Sequence, residues 1–207
     1  NPQNILFKIE LTLDQNYMFS VKQFVTNHSH MNVALSPYAL ITKTQTASEN
    51  QNVLIHEGPI GVFDQKLQEV EFEKLKTSQK MEFNGKTSWI GFSDKYWLTA
   101  LVPDKSKDIS SKFMHFQQNG ADHYQVSYLV HPKEIAPNTT AENKLHFFSG
   151  AKEIDLLDQY QENLNIDLFD RAVDFGILYM ITKPLLLVLH FFNSFLGFRN
   201  FGFFLFF

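Results

Sequence analysis

The sequence has no cysteine, which excludes disulfides, cysteine-ligated zinc and thiol nucleophiles while leaving the compartment open. Basic residues are also sparse. Eighteen Lys and Arg against 22 Asp and Glu give a formal charge of −4. No cluster of Arg and Lys with interleaved aromatics occurs, which argues against a nucleic-acid partner. There is no GxSxG, HExxH, P-loop or GxGxxG motif, so no enzyme chemistry, metal or cofactor is expected. No signal peptide and no membrane-length apolar run precedes Asp174. The chain starts at Asn1 and not Met, which predicts that it is excised from a longer protein. At 207 residues it suffices for one large domain, or for one domain with appendages.

What is present first is period-two alternation. Phe7, Ile9, Leu11 and Leu13 alternate with Lys8, Glu10 and Thr12, the pattern of a half-buried strand. Tyr17–Thr26 reads as a second strand, with Phe19, Val21 and Val25 on one face and Gln23 as an exception. Met31, Val33 and Leu35 resume the alternation until Ser36-Pro37, and Tyr38–Lys43 follows. The polar stretch 42–51 predicts an exposed loop, and Gly58-Pro59-Ile60-Gly61 predicts a turn. Residues 65–76 fit strand and helix alike, with strand preferred for the alternation of Val70 and Phe72 with glutamates. Trp89–Pro103 predicts core strands around a turn near Ser93-Asp94, and Ser106–Gln118 a mixed strand or loop. The clearest strand carries Tyr124, Val126, Tyr128 and Val130, with Leu129 out of pattern. Residues 132–143 predict a loop, and Leu145–Phe148 a short last strand. Such ladders favour a large antiparallel β-sandwich followed by C-terminal helices.

At Ser149-Gly150 the period changes to about 3.6. Ile154, Leu157, Tyr160, Gln161 and Leu164 line one side of a helix predicted over 152–164, and Asp167 is expected to cap a short turn through Ala172. The β body is therefore expected to end near residue 148 and to fold alone as residues 1–150. Residues 149–173 then form a helical hinge.

The last 34 residues are apolar beyond any ordinary soluble surface, yet Lys183, Pro184, His190, Asn193 and Arg199 interrupt them. On a helical wheel, Leu185, Val188, Leu189, Phe191, Phe192, Phe195 and Leu196 cover one side. Lys183, His190, Asn193, Ser194 and Gly197 share the other, while Leu186 and Leu187 blur the edge. Residues 174–198 thus predict an amphipathic helix lying in a membrane interface, started by Pro184. Phe201–Phe207 is uncharged, and as helix it rises only about 10 Å, a third of a bilayer core. Residues 199–207 therefore read as the start of a truncated transmembrane helix.

Other constellations are weaker. His28 and His30 on one side of a strand suggest at most adventitious metal binding. Trp89, Tyr96 and Trp97 could stack on a sugar, although aromatics at strand spacing more often form core. A proton-transfer enzyme would need a pair such as His123 and Glu57, which only composition offers.

From residue 145 the sequence resembles the junction segment of YidC-type membrane protein insertases. The resemblance rests on FFSGAKEIDLLDQY, on Asp174-Phe175-Gly176, on Lys183-Pro184-Leu185 with its Leu/Phe helix, and on Asn200-Phe201-Gly202. WIGFSDKYWLTALVP resembles that family's core segment, while residues 1–85 match it weakly. Ala151 stands where a proline is usual and Phe201 where a tryptophan is usual. The resemblance implies a periplasmic β-sandwich of the super-sandwich kind, also seen in sugar mutarotases, in the bacterial inner membrane. It implies a family hinge motif at Asp174, Phe175, Gly176, Pro184, Asn200 and Gly202. It further implies a non-enzymatic role in inserting and folding membrane proteins without ATP. The partners implied are the lipid bilayer, nascent membrane proteins and the Sec translocon. The family's groove arginine would lie beyond Phe207. The alternative reading is a periplasmic binding module, for sugar or protein, with a membrane-docking helix.

Overall fold

The computed structural model describes residues 4–45, 56–107, 109–173 and Val188. Thirteen strands dominate the described residues. The first four are β1 (Ile5–Leu13), β2 (Met18–Asn27), β3 (Val33–Leu35) and β4 (Tyr38–Gln45). Next come β5 (Gly58–Phe63), β6 (Lys66–Glu69), helix α1 (Phe72–Ser78), β7 (Lys80–Asn84), β8 (Thr87–Ser93) and β9 (Trp97–Pro103). Then follow β10 (Ile109–Gln118), β11 (Ala121–Val130), β12 (Lys133–Ile135), β13 (Thr140–Ala151), helix α2 (Ile154–Asn163) and a 3-10 turn, Phe169–Ala172.

The strands pair antiparallel into three sheets. The large sheet runs β1-β2-β13-β9-β8-β5-β6, the second β4-β11-β10-β7, and a small one joins β12 to β3. This is the expected antiparallel sandwich with C-terminal helices. Its core has two levels. Between the sheets, Ile90, Phe92, Leu101 and Leu145 meet Phe113, Tyr124, Val126 and Tyr128, with Phe72 and Leu75 of α1 at the margin. On the opposite face of the large sheet, Trp89, Leu98, Ala100, Val102 and Phe148 are covered by Leu156, Leu157, Tyr160, Ile166, Phe169 and Ala172. Strands β5 and β8 are consequently buried on both faces and lose the alternation of a one-sided strand.

Several expectations need correction. The stretch at residues 65–76 splits into a short strand and α1, because Phe72 and Leu75 bury one helical face at i, i+3 spacing. Gly58-Pro59 opens β5 and forms no turn; Pro59 tolerates the strand's first positions, where its missing N–H costs no ladder bond. Residues 42–45 continue β4, and the rest of the predicted 42–51 loop lies outside the described residues. The predicted loop 132–143 contains β12 and the start of β13, which is twelve residues long. Asn143 donates a 2.8 Å hydrogen bond to Gln23, so a polar cross-strand pair replaces the apolar one that periodicity looks for.

The strand-to-helix change at Ser149-Gly150 does not end the packed body. Asn1–Val173 form one compact unit, and Asp174–Phe207 are assigned to a second. Asp167 does not cap the 3-10 turn, whose preceding residue Leu168 is left-handed with φ 54° and makes no side-chain cap bond. Its carboxylate instead accepts a 2.8 Å ion pair from Lys105. The apolar row of β1 is not half-buried: Phe7, Ile9, Leu11 and Leu13 are 55–65% exposed.

Candidate functional site

The junction leading towards residue 174 is tied to the turn between β1 and β2 by two hydrogen bonds from the Tyr160 hydroxyl. The Asp14 carboxylate accepts from the backbone N–H of Asn16 and Met18 at 2.8 and 2.9 Å, closing the turn. Its other oxygen lies 2.6 Å from the Tyr160 hydroxyl, which is also 2.7 Å from the Asn16 carbonyl. Tyr160 lies on the buried side of α2, and its ring packs edge-on against Phe148. Burial alone would raise the Asp14 pKa, but the bonds from Tyr160, Met18 and Asn16 together hold it below the ordinary range. Burial, and then the bond to Asp14, push the Tyr160 pKa well up.

Gly150 sits where Tyr17 approaches; a Cβ there would lie 2.7 Å from the Tyr17 side chain. Further along, the Trp89 indole donates to the Asp167 carbonyl at 3.1 Å, and Ser88 Oγ accepts from Asp167 N–H at 2.8 Å. Trp89 and Phe148 meet Phe169 edge-to-face. Residues 154–173 are thus bolted to the large sheet by buried aromatics and by bonds whose partners lie far away in sequence. Sequence reading found the helix but missed this anchoring, because only the shape of Asp-x-Asn-x-Met hints that Asp14 closes a turn.

On the other face of the large sheet a groove of about 760 Å³ opens beyond the edge of the second sheet. Ile9, Val25, Leu145 and Phe147 line one side, and Leu40 and Val130 the other. It exists because the seven-stranded sheet is wider than its four-stranded cover.

The other polar clusters serve packing. Asp122 accepts from Lys76 at 2.6 Å, Gln117 at 3.0 Å and His115 at 2.9 Å. These bonds, Lys76 first, hold its carboxyl far below the ordinary range and tie α1 to the β10–β11 hairpin. Buried Asn27 donates to the carbonyls of Met31 and Ile135 and accepts from Ser29, so it organises the turn after β2. His28 and His30 lie in that turn, not on a strand, and are exposed. Among the described residues no three His, Cys, Asp or Glu side chains converge as metal ligands.

Among the described residues no hydrogen bond or ion pair joins the candidate proton-transfer pair. His123, on β11, contacts Thr44 and stacks on Phe116, while Glu57 precedes β5 in the other sheet. The aromatic trio also separates: Trp89 is fully buried, while Tyr96 and Trp97 stand exposed at the β8–β9 turn. Of the tail residues singled out by sequence, Val188 is helical and half exposed. Leu185, Leu189, Phe191, Phe192, Phe195, Leu196, Asp174, Phe175, Gly176, Pro184, Asn200 and Gly202 lie outside the described residues. Among the described residues no helix is long and apolar enough to cross a membrane.

The fold defines a class first. A galactose mutarotase-related enzyme from Lactobacillus acidophilus superposes with a TM-score of 0.50 at 8% identity, covering 72% of this chain and 62% of that one. At that identity the likeness is one of fold alone, an antiparallel sandwich of two large sheets. The family is more specific: the YidC periplasmic domain matches residues 1–188, and the chain belongs to that family. Membrane protein insertase YidC of Rickettsia akari is 40% identical over 98% of this chain, and that of Rickettsia felis 39% identical over the same share. The chain spans about a third of the length of these relatives, 36% in each case.

Proposed function

We propose that this chain is the periplasmic part of a membrane protein insertase of the inner membrane, joined to the start of its second membrane span. The family match over residues 1–188 carries the reading. In it, residues 1–173 are the periplasmic body, the sandwich together with the helical segment packed on its large sheet. Residues 174–198 are the interfacial helix, and 199–207 begin the span. In this reading the role is non-enzymatic, that of an insertase. The partners are the lipid bilayer and nascent membrane proteins, with the Sec translocon as a further one and no nucleic acid. A sugar-binding alternative draws no support from the aromatic trio, since Trp89 is buried.

Leu185, Val188, Leu189, Phe191, Phe192, Phe195 and Leu196 then face lipid, and the Asp174-Phe175-Gly176 element, Pro184, Asn200 and Gly202 set the hinge and the entry to the span. The test uses the full-length parent in proteoliposomes and a single-span substrate. Phe192→Glu is expected to cut insertion severalfold, while Asn193→Glu on the polar flank leaves it near wild type. Equal effects of the two would remove the interfacial assignment. A wild-type parent that inserts nothing would remove the insertase reading itself. Spin labels from 185 to 198 should show oxygen accessibility with a period near 3.6, peaking at 188, 192 and 195.

A further inference from the structure

β1 ends the large sheet, and among the described residues no strand pairs with its outer edge. Its register fixes what that edge offers. Asp14 donates to Met18 and His28 to Asn4, at 3.0 and 2.9 Å, so the even-numbered residues exchange hydrogen bonds with β2. The backbone N–H and C=O of Phe7, Ile9, Leu11 and Leu13 therefore point away from β2. The side chains of the same residues extend the inner face of the sheet: Phe7 lies beside Val25 and Ala141, and Leu11 beside Val21 and Leu145. All four are more than half exposed. Proteins usually blunt such an edge with proline, a bulge or an inward charge. β1 has none of these, and its charges, Lys8 and Glu10, stand on the outer face.

We propose that β1 pairs with β1 of a second copy of this chain, antiparallel about a twofold axis through Ile9. The strand is self-complementary in that register. Ile9 meets Ile9, Phe7 meets Leu11, and Lys8 meets Glu10 of the second copy. The Lys8–Glu10 ion pair within each chain, at 2.6 Å, becomes part of a four-charge cluster. Moving the axis to Lys8 or Glu10 sets like charges opposite each other, which is unfavourable. Axes farther out shorten the overlap of a nine-residue strand. Pairing about Ile9 also matches the hydrogen-bonding parity, since Phe7, Ile9 and Leu11, whose backbone groups point outward, face one another. The twofold axis is perpendicular to the sheet, so both inner faces stay on one side and the two exposed apolar rows join. Among the described residues each four-stranded sheet stops short of β1.

The test uses the full chain in nonionic detergent, which contains no native cysteine. In Ile9→Cys the two Cα atoms would stand about 5.5 Å apart, within disulfide reach. In Leu13→Cys they would be about 27 Å apart, eight residues of strand. Mild oxidation should convert Ile9→Cys to a covalent dimer and leave Leu13→Cys monomeric. By sedimentation, Lys8→Glu should raise the dimer Kd on the order of tenfold. Lys8→Glu combined with Glu10→Lys should bring it back towards wild type. Equal cross-linking at positions 9 and 13 would indicate collision within micelles, and absence of a dimer at position 9 would indicate another occupant or none. Either result overturns the proposal, as does a Kd indifferent to single reversal.

Discussion

The hydroxyl of Tyr160 lies 2.6 Å from Oδ2 of Asp14, joining the only well-formed helix of the C-terminal segment among the described residues to the first hairpin turn. The two residues are 146 positions apart, so the bond closes the body from end to end. One hydroxyl proton serves both the carboxylate and the Asn16 carbonyl beside it.

Tyr160→Phe should therefore destabilise by about 1 kcal/mol at neutral pH, the low end for a bond to a charge, because Asp14 is exposed. The sign with pH follows from both shifts. Asp14 is depressed below its ordinary 3.8, so its contribution is present above that value and lost as pH falls below it. Tyr160 is raised above its ordinary 10.0, so its contribution is present below that value and lost as pH rises past it. Urea unfolding of wild type and Tyr160→Phe should differ most between these limits and converge outside them. A gap that stays constant from pH 3 to 11 would mean the hydroxyl acts without the carboxylate.

Cutting the chain after Gly150 should abolish cooperative folding. The cut removes Leu156, Leu157, Tyr160, Ile166, Phe169 and Ala172, uncovering Trp89, Leu98, Val102 and Phe148. Each large side chain returned to water forfeits about 1.5–3 kcal/mol. Four or more approach the whole stability of a typical domain, about 5–15 kcal/mol. Residues 1–173 should melt sigmoidally by circular dichroism, while 1–150 should give a broad or absent transition. A sharp melt of 1–150 at the same temperature would mean the helices add nothing to the body.

What the sequence disclosed follows from which faces are covered. β11 was legible because Tyr124, Val126, Tyr128 and Val130 all enter the core, and Leu129 breaks pattern because it stands 47% exposed on the outer face. β1 was legible as a strand but not in its burial, since alternation does not reveal whether a second sheet reaches that far. The first part of β13 was hidden by the polar pairs Gln23–Asn143 and Thr26–Thr140, which periodicity counts as loop. α1 competed with a strand over residues too few to separate the two periods. The Asp14–Tyr160 and Asp122 clusters join residues that only the fold brings together.

Tyr128→Phe should be neutral or stabilising by up to about 1–2 kcal/mol. The Tyr128 hydroxyl is buried and has no hydrogen-bond partner among the described residues. Burial, and then the charge of Asp104, push its pKa well up, so it stays neutral. Removing the oxygen while keeping the ring takes away an unmet desolvation cost. A loss above about 1 kcal/mol in urea unfolding would show that the hydroxyl has a partner, such as a bound water.

Two glycines should respond very differently to an added methyl group. Gly91 pairs with Ala100 between β8 and β9, and a Cβ there would lie 2.1 Å from the Thr99 carbonyl oxygen, a contact no rotamer relieves. The strands would have to separate at the centre of a sheet buried on both faces, with Ile90 and Phe92 on either side. Gly91→Ala should thus cost on the order of 3 kcal/mol or more and slow expression of soluble protein. Gly120, in the β10–β11 turn, has open space around its Cβ position but a φ of +80°. Gly120→Ala should therefore cost only about 1 kcal/mol, from backbone strain alone. Thermal melts of the two variants in parallel with wild type decide the point. If Gly91→Ala melts within a degree or two of Gly120→Ala, the close approach of β8 to β9 is not as tight as the backbone geometry requires.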